Sequence, residues 1–149
     1  LEVGGTLSLS TSEIVSLNPN TALASGLTTG AALVGSDRQL SAFAEYQIWR
    51  SADATVYFRL DAEYSSDYPN GPRNIPGAGL PNPRYTNTDA ILNVNGQIGY
   101  ETDSLGVYLY GENLGNDDGR VWENPDPFSD NNVVTLAPRT VGIRVDYRL

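Results

Sequence analysis

The sequence predicts an all-β chain, built as one antiparallel up-and-down sheet of about six strands. Three features of its 149 residues predict this. Six segments alternate apolar and polar residues with period two, the pattern of a ribbon with one greasy and one wet face. No convincing 3.6-residue period is present. The links between segments alternate between tight turns and long stretches, so every tight turn falls at one end of the sheet and every long loop at the other.

The strands are expected at 2–12, 38–50, 54–66, 90–101, 105–114 and 137–149. The third is the clearest: Val56, Phe58, Leu60, Ala62 and Tyr64 share one face, and Tyr57, Arg59, Asp61 and Glu63 the other. The second sets Leu40, Ala42, Ala44, Tyr46 and Ile48 against Ser41, Glu45 and Gln47. The fourth sets Leu92, Val94, Gly96, Ile98 and Tyr100 against Asn93, Asn95 and Gln97. The fifth is less regular, with Val107 and Leu109 opposite Tyr108, Tyr110 and Glu112. The sixth sets Val141, Ile143, Val145, Tyr147 and Leu149 against Thr140, Arg144, Asp146 and Arg148. The first is the weakest, with Leu7 and Leu9 opposite Ser8 and Ser10.

Tight turns fall at Arg50–Asp53 and Thr102–Ser104, and long loops at 13–37, 67–89 and 115–136. Loops beyond about 12–15 residues are unusual in compact soluble domains. Strands of about ten residues, one apolar face and this loop asymmetry describe a transmembrane β-barrel wall, with short periplasmic turns and long extracellular loops. Tyr46, Trp49, Tyr64, Tyr68, Tyr100 and Tyr147 fall near strand ends, where an aromatic girdle bridges lipid and water. In lipid the sheet must close, and six strands are fewer than the eight of the smallest bacterial barrels. The expectation is therefore a barrel fragment whose edges pair with further strands. The amino terminus, Leu-Glu-Val-Gly-Gly, carries neither an initiator methionine nor a leader pattern, which agrees with a piece of a longer protein.

Composition narrows the chemistry. The net charge is −9, with no histidine, no cysteine and no lysine. An acidic chain repels nucleic acid, so no nucleic-acid partner is expected. Without histidine or cysteine there is no Ser-His-Asp or Cys-His arrangement and no ordinary zinc site. Asp61 and Glu63 beside Arg59 read as an ion-paired polar face rather than an acid–base pair. The segment Gly115-Asn-Asp-Asp-Gly119 looks calcium-like but fails the EF-hand spacing, with Leu114 at position one and Pro125 at position twelve, so it reads as a turn. Asn124, Asp126, Asp130, Asn131 and Asn132 leave weak divalent binding open. No catalytic residue and no cofactor is expected.

Two motifs carry a resemblance. Leu105-Gly-Val-Tyr-Leu-Tyr-Gly-Glu-Asn113-Leu114-Gly-Asn116-Asp117 resembles the penultimate strand of TonB-dependent outer-membrane receptors, which ends in Asn-Leu followed closely by Asp. Ala137-Pro-Arg-Thr-Val-Gly-Ile-Arg-Val-Asp-Tyr-Arg-Leu149 is similar to their closing strand, a Pro-Arg-x-x-Gly motif followed by alternation. The family usually ends in Phe or Trp, where this chain has Leu149. The resemblance implies that residues 1–149 are the carboxy-terminal part of the barrel, in the outer membrane of a Gram-negative bacterium, with plug and earlier strands absent. It implies TonB-energised uptake of a scarce nutrient such as a ferric siderophore, cobalamin or an oligosaccharide. Implied partners are outer-membrane lipid, the TonB complex through missing N-terminal regions, the barrel-insertion machinery and a small-molecule ligand such as a metal chelate. Glu45, Arg59, Asp61, Glu63 and Arg144 would line the lumen. Tyr68, Arg73, Arg84, Trp122 and Phe128 would meet ligand on the loops. Val141, Ile143, Val145, Tyr147 and Leu149 would form the insertion signal. The competing readings are a small non-transporting barrel or adhesin, and a soluble ligand-binding β-sandwich.

Overall fold

A computed structural model of the chain describes residues 1–148. Strands β1 (Glu2–Leu9), β2 (Arg38–Arg50), β3 (Ala54–Ser65), β4 (Ile91–Thr102), β5 (Leu105–Glu112) and β8 (Thr140–Tyr147) form one antiparallel sheet in the order β1-β2-β3-β4-β5-β8. A separate hairpin, β6 (Arg120–Glu123) with β7 (Val133–Thr135), sits within the connection from β5 to β8. A short helix, α1 (Pro19–Ser25), lies in the connection from β1 to β2. The turns 51–53 and 103–104 share one end of the sheet, and the three long connections share the other. Among the described residues β1 and β8 each pair on one side only, so the sheet is open.

Register establishes the faces. Directly paired residues in an antiparallel ladder share a side. The row Leu7, Leu40, Tyr64, Leu92 is continuous across four strands. So is Phe58, Ile98, Leu109, Ile143. The opposite face carries Glu45, Arg59 and Gln97 in one row. The less regular fifth strand obeys the same division. On the apolar face of the sheet the sole charged residue is Arg38, at the long-loop end beside Leu9.

Three boundaries and one facing differ from the sequence pattern. β1 stops at Leu9, not 12, where Ser10 N–H bonds the Asp37 carbonyl. β5 stops at Glu112, not 114, because Asn113 turns into the left-handed region with φ 48°. β8 begins at Thr140, not 137: Pro138 has no N–H to offer a ladder, and the Ala137 carbonyl is taken by the Asn113 side chain. The long loops expected at 13–37 and 115–136 hold α1 and the β6–β7 hairpin. The helix is capped by the Asn18 side chain, which accepts from Asn20 N–H, and by Gly26 in the left-handed region at φ 70°. Alternation places Ile48 on the apolar face and Trp49 opposite it. A bulge between Gln47 and Trp49 reverses this: Ile48 is left unpaired, and Trp49 faces Val56 on the apolar side.

No second layer covers this sheet. Among the described residues every substantial contact between the main elements is between hydrogen-bonded neighbours. The accessible surface is 9751 Å², against about 7,400 Å² for a compact chain of this mass. Among the described residues only Ala31 and Tyr108 are buried apolar residues, whereas Val145 is 61% exposed and Tyr147 67%. The other buried side chains are polar: Ser66, Asn70, Asn82, Thr88 and Asn113, all at the long-loop end.

On the polar face, aromatic rings lie down over glycines directly opposite. Gly4 faces Phe43, Gly99 faces Tyr57 and Gly142 faces Tyr110. A Cβ at Gly99 would come within 2.6 Å of the Tyr57 ring. The ring would have to lift, breaking the Tyr57 hydroxyl's bonds to Glu101 and Gln97. Gly99→Val is therefore expected to cost about 1–3 kcal/mol, read as a lower urea midpoint of the folded protein. Gly115→Ala, where an added Cβ meets nothing within 4 Å, should stay within about 0.5 kcal/mol.

Candidate functional site

The polar face carries a charged hub. Arg59 donates to Asp61 through Nε and Nη2, at 3.0 Å and 2.8 Å, and through Nη1 to Glu45 at 3.5 Å. Its guanidinium sits 4.6 Å from the centre of the Phe43 ring. β2 and β3 bring Glu45 and Arg59 directly opposite each other. Arg144, on β8, lies 4.3 Å over the Tyr108 ring and pairs with Asp146 at 3.3 Å. Glu101 accepts from both the Tyr108 and Tyr57 hydroxyls, and Gln97 donates to Tyr57 at 2.8 Å. Glu63 shares the face and stands opposite Ser41 and Asn93; among the described residues it forms no ion pair. Of the five candidate lumen residues, Glu45, Arg59 and Asp61 thus form one cluster, and Arg144 belongs to a second.

Beside the hub an open groove of about 900 Å³ runs over β4, β5 and β8 toward the long loops. Its floor holds Asn93, Asn95 and Gln97, every second residue of β4. Tyr110, Glu112 and Arg144 flank it. The amide row and Tyr110 are site residues that the motifs did not single out. The available signal was compositional, since asparagine is depleted in strands and two of them stand in the middle of β4.

The loop end is knit by side-chain amides. Asn113 is 3% exposed. Its Nδ2 donates to the Asp117 and Ala137 carbonyls, its Oδ1 accepts from Asp117 N–H, and its own N–H donates to Asn95 Oδ1. Asp117 in turn accepts from Leu92 N–H and Gly119 N–H. Leu114 lies over the facing glycines Gly96 and Gly111. The Asn-Leu-x-x-Asp segment therefore ties β4, β5 and the approach to β8 together. It is a turn, as its composition suggests, and its carboxylate at 117 is occupied by backbone donors. Among the described residues no three acidic groups converge to hold a metal ion.

The five candidate loop contacts divide. The Tyr68 hydroxyl donates to the Val121 carbonyl and Arg84 Nη1 to the Asp126 carbonyl, so both join loop to hairpin. Arg73 is exposed and stacks on Tyr85. Trp122 is exposed beside Val134, and Phe128 is 81% exposed. Val141, Ile143, Val145 and Tyr147 share the apolar face and are exposed. Leu149 lies outside the described residues.

No family model, no curated protein and no solved structure matches the chain.

Asp89 and Arg120 latch the loop 66–90 to the hairpin. Arg120 donates through Nε, Nη2 and its backbone N–H to the Asp89 carboxylate, and the Asp89 N–H returns a bond to the Arg120 carbonyl. The guanidinium bonds first, and the backbone N–H second, hold the Asp89 carboxyl below its usual range. A carboxyl with a lowered folded pKa stabilises fully above its unfolded value of about 3.9, and that contribution fades as pH falls through the folded value. Hydrogen exchange at Asp89 and Arg120, whose N–H groups belong to the latch, is expected to be insensitive to it between pH 5 and 7 and to quicken relative to the rest of the sheet only in stronger acid. Asp89→Asn should show the quickened exchange already at pH 6. Asn113→Ala, which leaves two carbonyls and an N–H without their partner, should cost about 1–3 kcal/mol in the same urea assay.

Proposed function

We propose that this chain is part of the wall of an outer-membrane β-barrel, of the TonB-dependent receptor type, and that its polar face lines the lumen. The observation that carries this reading is the uncovered apolar face. Between the row Leu40–Tyr64–Leu92 and the row Trp49–Val56–Tyr100 it holds no charged residue. Tyr64 and Val56 are eight residues apart on β3, about 27 Å along a strand and less once tilted. That matches the apolar band of such walls, about 25 Å tall. Trp49, Tyr100 and Tyr147 stand at its short-turn edge and Tyr64 at the other, as an aromatic girdle does. The bulge at Gln47–Trp49 supports the same view, since it turns the indole toward the apolar side at that edge.

A soluble sandwich needs a second sheet on this face, and a compact soluble chain does not leave Ile143, Val145 and Tyr147 uncovered together. The motif residues support the receptor type, because Asn113, Leu114 and Asp117 join the strands that the resemblance makes penultimate and last. In this reading the chain supplies wall, loop surface and insertion strand. Energised uptake through the TonB complex, and the nutrient it serves, belong to the whole receptor. The chain has no native cysteine, so single-cysteine variants are clean probes. In liposomes a fluorophore on Phe58→Cys or Val145→Cys should be quenched by a lipid-dissolved nitroxide and shielded from iodide, with the reverse on Glu63→Cys. Equal access of iodide to both faces would sink the reading.

A further inference from the structure

We infer that the long-loop margin of the apolar face selects lipids whose phosphate headgroup is net anionic, through Arg38 and Arg139. The inference rests on the wall reading above. That reading puts lipid against the face and leaves the headgroup open; the charge pattern decides it. The chain holds nine basic residues against eighteen acidic ones, yet at this margin the apolar face ends in cations. Arg38 stands two residues beyond Leu40, at the start of β2. Arg139 stands two residues beyond Val141, one step outside β8, and carries the same parity. No acidic residue of the sheet's strands shares this face. At the short-turn edge the face ends in Trp49, Ala54, Thr102 and Tyr147, with no cation.

Both guanidiniums are uncommitted. Arg59, Arg120 and Arg144 are held by carboxylates, Arg73 by the Tyr85 ring and Arg84 by the Asp126 carbonyl. Among the described residues Arg38 and Arg139 meet neither a carboxylate nor an aromatic face, and both are exposed. Arg50 is unpaired too, but it stands opposite Thr55 with the polar face's parity. The backbone beneath each rim arginine is fixed. The Arg38 N–H donates to Ser66 Oγ at 3.3 Å, and its carbonyl accepts from Ser66 N–H at 3.0 Å and Ser36 Oγ at 2.8 Å. The Arg139 N–H donates to Asn116 Oδ1 at 3.4 Å. A guanidinium at the rim of hydrocarbon reaches along its aliphatic stem to the depth of the headgroup phosphates. Its planar fork matches two phosphate oxygens at once. A zwitterionic headgroup brings its own cation to that place, and a net anionic one does not. Four strand spacings, about 19 Å, separate the two arginines across the sheet, so they hold separate lipids.

The test uses the full natural polypeptide carrying this sequence, reconstituted in phosphatidylcholine vesicles. A fluorophore sits on Leu40→Cys, Val141→Cys or Val56→Cys. The quencher is a trace of chain-nitroxide lipid, with a phosphatidylglycerol or a phosphatidylcholine headgroup. Both leaflets carry the same mixture, so the direction of insertion does not enter. Phosphatidylglycerol should associate about fivefold more strongly than phosphatidylcholine at Leu40→Cys and Val141→Cys, and equally within about twofold at Val56→Cys. Arg38→Gln should abolish the preference at Leu40→Cys alone, and Arg139→Gln at Val141→Cys alone. Raised salt should weaken it with both arginines in place, a readout that needs no arginine variant. Equal quenching by the two lipids at all three probes, the same preference at Val56→Cys, or a preference that survives both glutamine substitutions would each overturn the inference. The iodide experiment separates the two failures. A Phe58→Cys probe shielded from iodide, beside equal quenching by the two headgroups, refutes the headgroup selection alone. Iodide access to both faces refutes the wall on which it rests.

Discussion

The constraint on which this structure depends is that one sheet carries a greasy face and none of the described residues forms a layer over it. A strand pair gains little from its backbone bonds alone, because water competes for the same donors and acceptors. The ordinary driving force is burial of the apolar side against another layer. Here the rows through Leu40, Phe58, Ile98 and Val145 run the width of the sheet with no helix or sheet above them. The burial must come from the surroundings. A hydrocarbon environment meets that demand without a protein partner, and it strengthens the backbone ladder by removing water as a competitor.

The two ends of the sheet solve different problems. At the short-turn end the chain reverses within two or three residues, and Trp49, Val56 and Tyr100 form one row beside the turns. At the other end three long connections must be held in place without an apolar core of their own. Buried amide and hydroxyl side chains do that work. Asn70 accepts from Glu123 N–H and donates to the Glu123 carbonyl, imitating a strand partner. Asn82 donates to the Pro72 and Pro125 carbonyls. Gly26 and Leu23 carbonyls accept from Asn74 and Gly77, so the connection 10–37 joins the same assembly. A buried asparagine with its bonds satisfied is specific where an apolar contact is only adhesive, because removing one partner strands the others. The loops are thus a preformed rim around the groove mouth.

The faces of the sheet were legible in the sequence because alternation on a strand is geometry: once a segment is extended, residue parity fixes its side. That is why Arg59, Asp61 and Glu45 fell on one side and Val56 and Phe58 on the other. Parity fails where a bulge inserts a residue, and nothing local distinguishes Gln47-Ile48-Trp49 from an unbroken strand. The hairpin β6–β7 was illegible for another reason. Strands of four and three residues are too short for a period to emerge, and they are fixed from outside, by Asp89 and Asn70. The helix α1 has seven residues, too few for a 3.6-residue period to emerge. In the site, side-chain type was visible but commitment was not. Asn93 and Asn95 look equivalent in sequence, and only the fold spends one on Asn113 and leaves the other unmatched.

Width joins the two faces in one argument. Six strands spaced about 4.8 Å apart and tilted about 40° would close into a ring of roughly 6 Å radius. Side chains must fill so narrow an interior, as they do in the smallest barrels. The polar face here presents Tyr57, Arg59, Tyr108, Tyr110 and Arg144 with a groove of about 900 Å³ among them. Those side chains are as long as the radius itself and would collide across the axis. The glycines opposite Phe43, Tyr57 and Tyr110 let the rings lie flat, which keeps the wall thin but does not shorten the arginines. The unpaired backbone groups on the outer edges of β1 and β8 make the same demand from the other direction, since an open edge is untenable in lipid. On the proposed wall reading, large water-facing side chains and two open edges would be met together by one arrangement, a wider barrel to which this sheet contributes six adjacent strands.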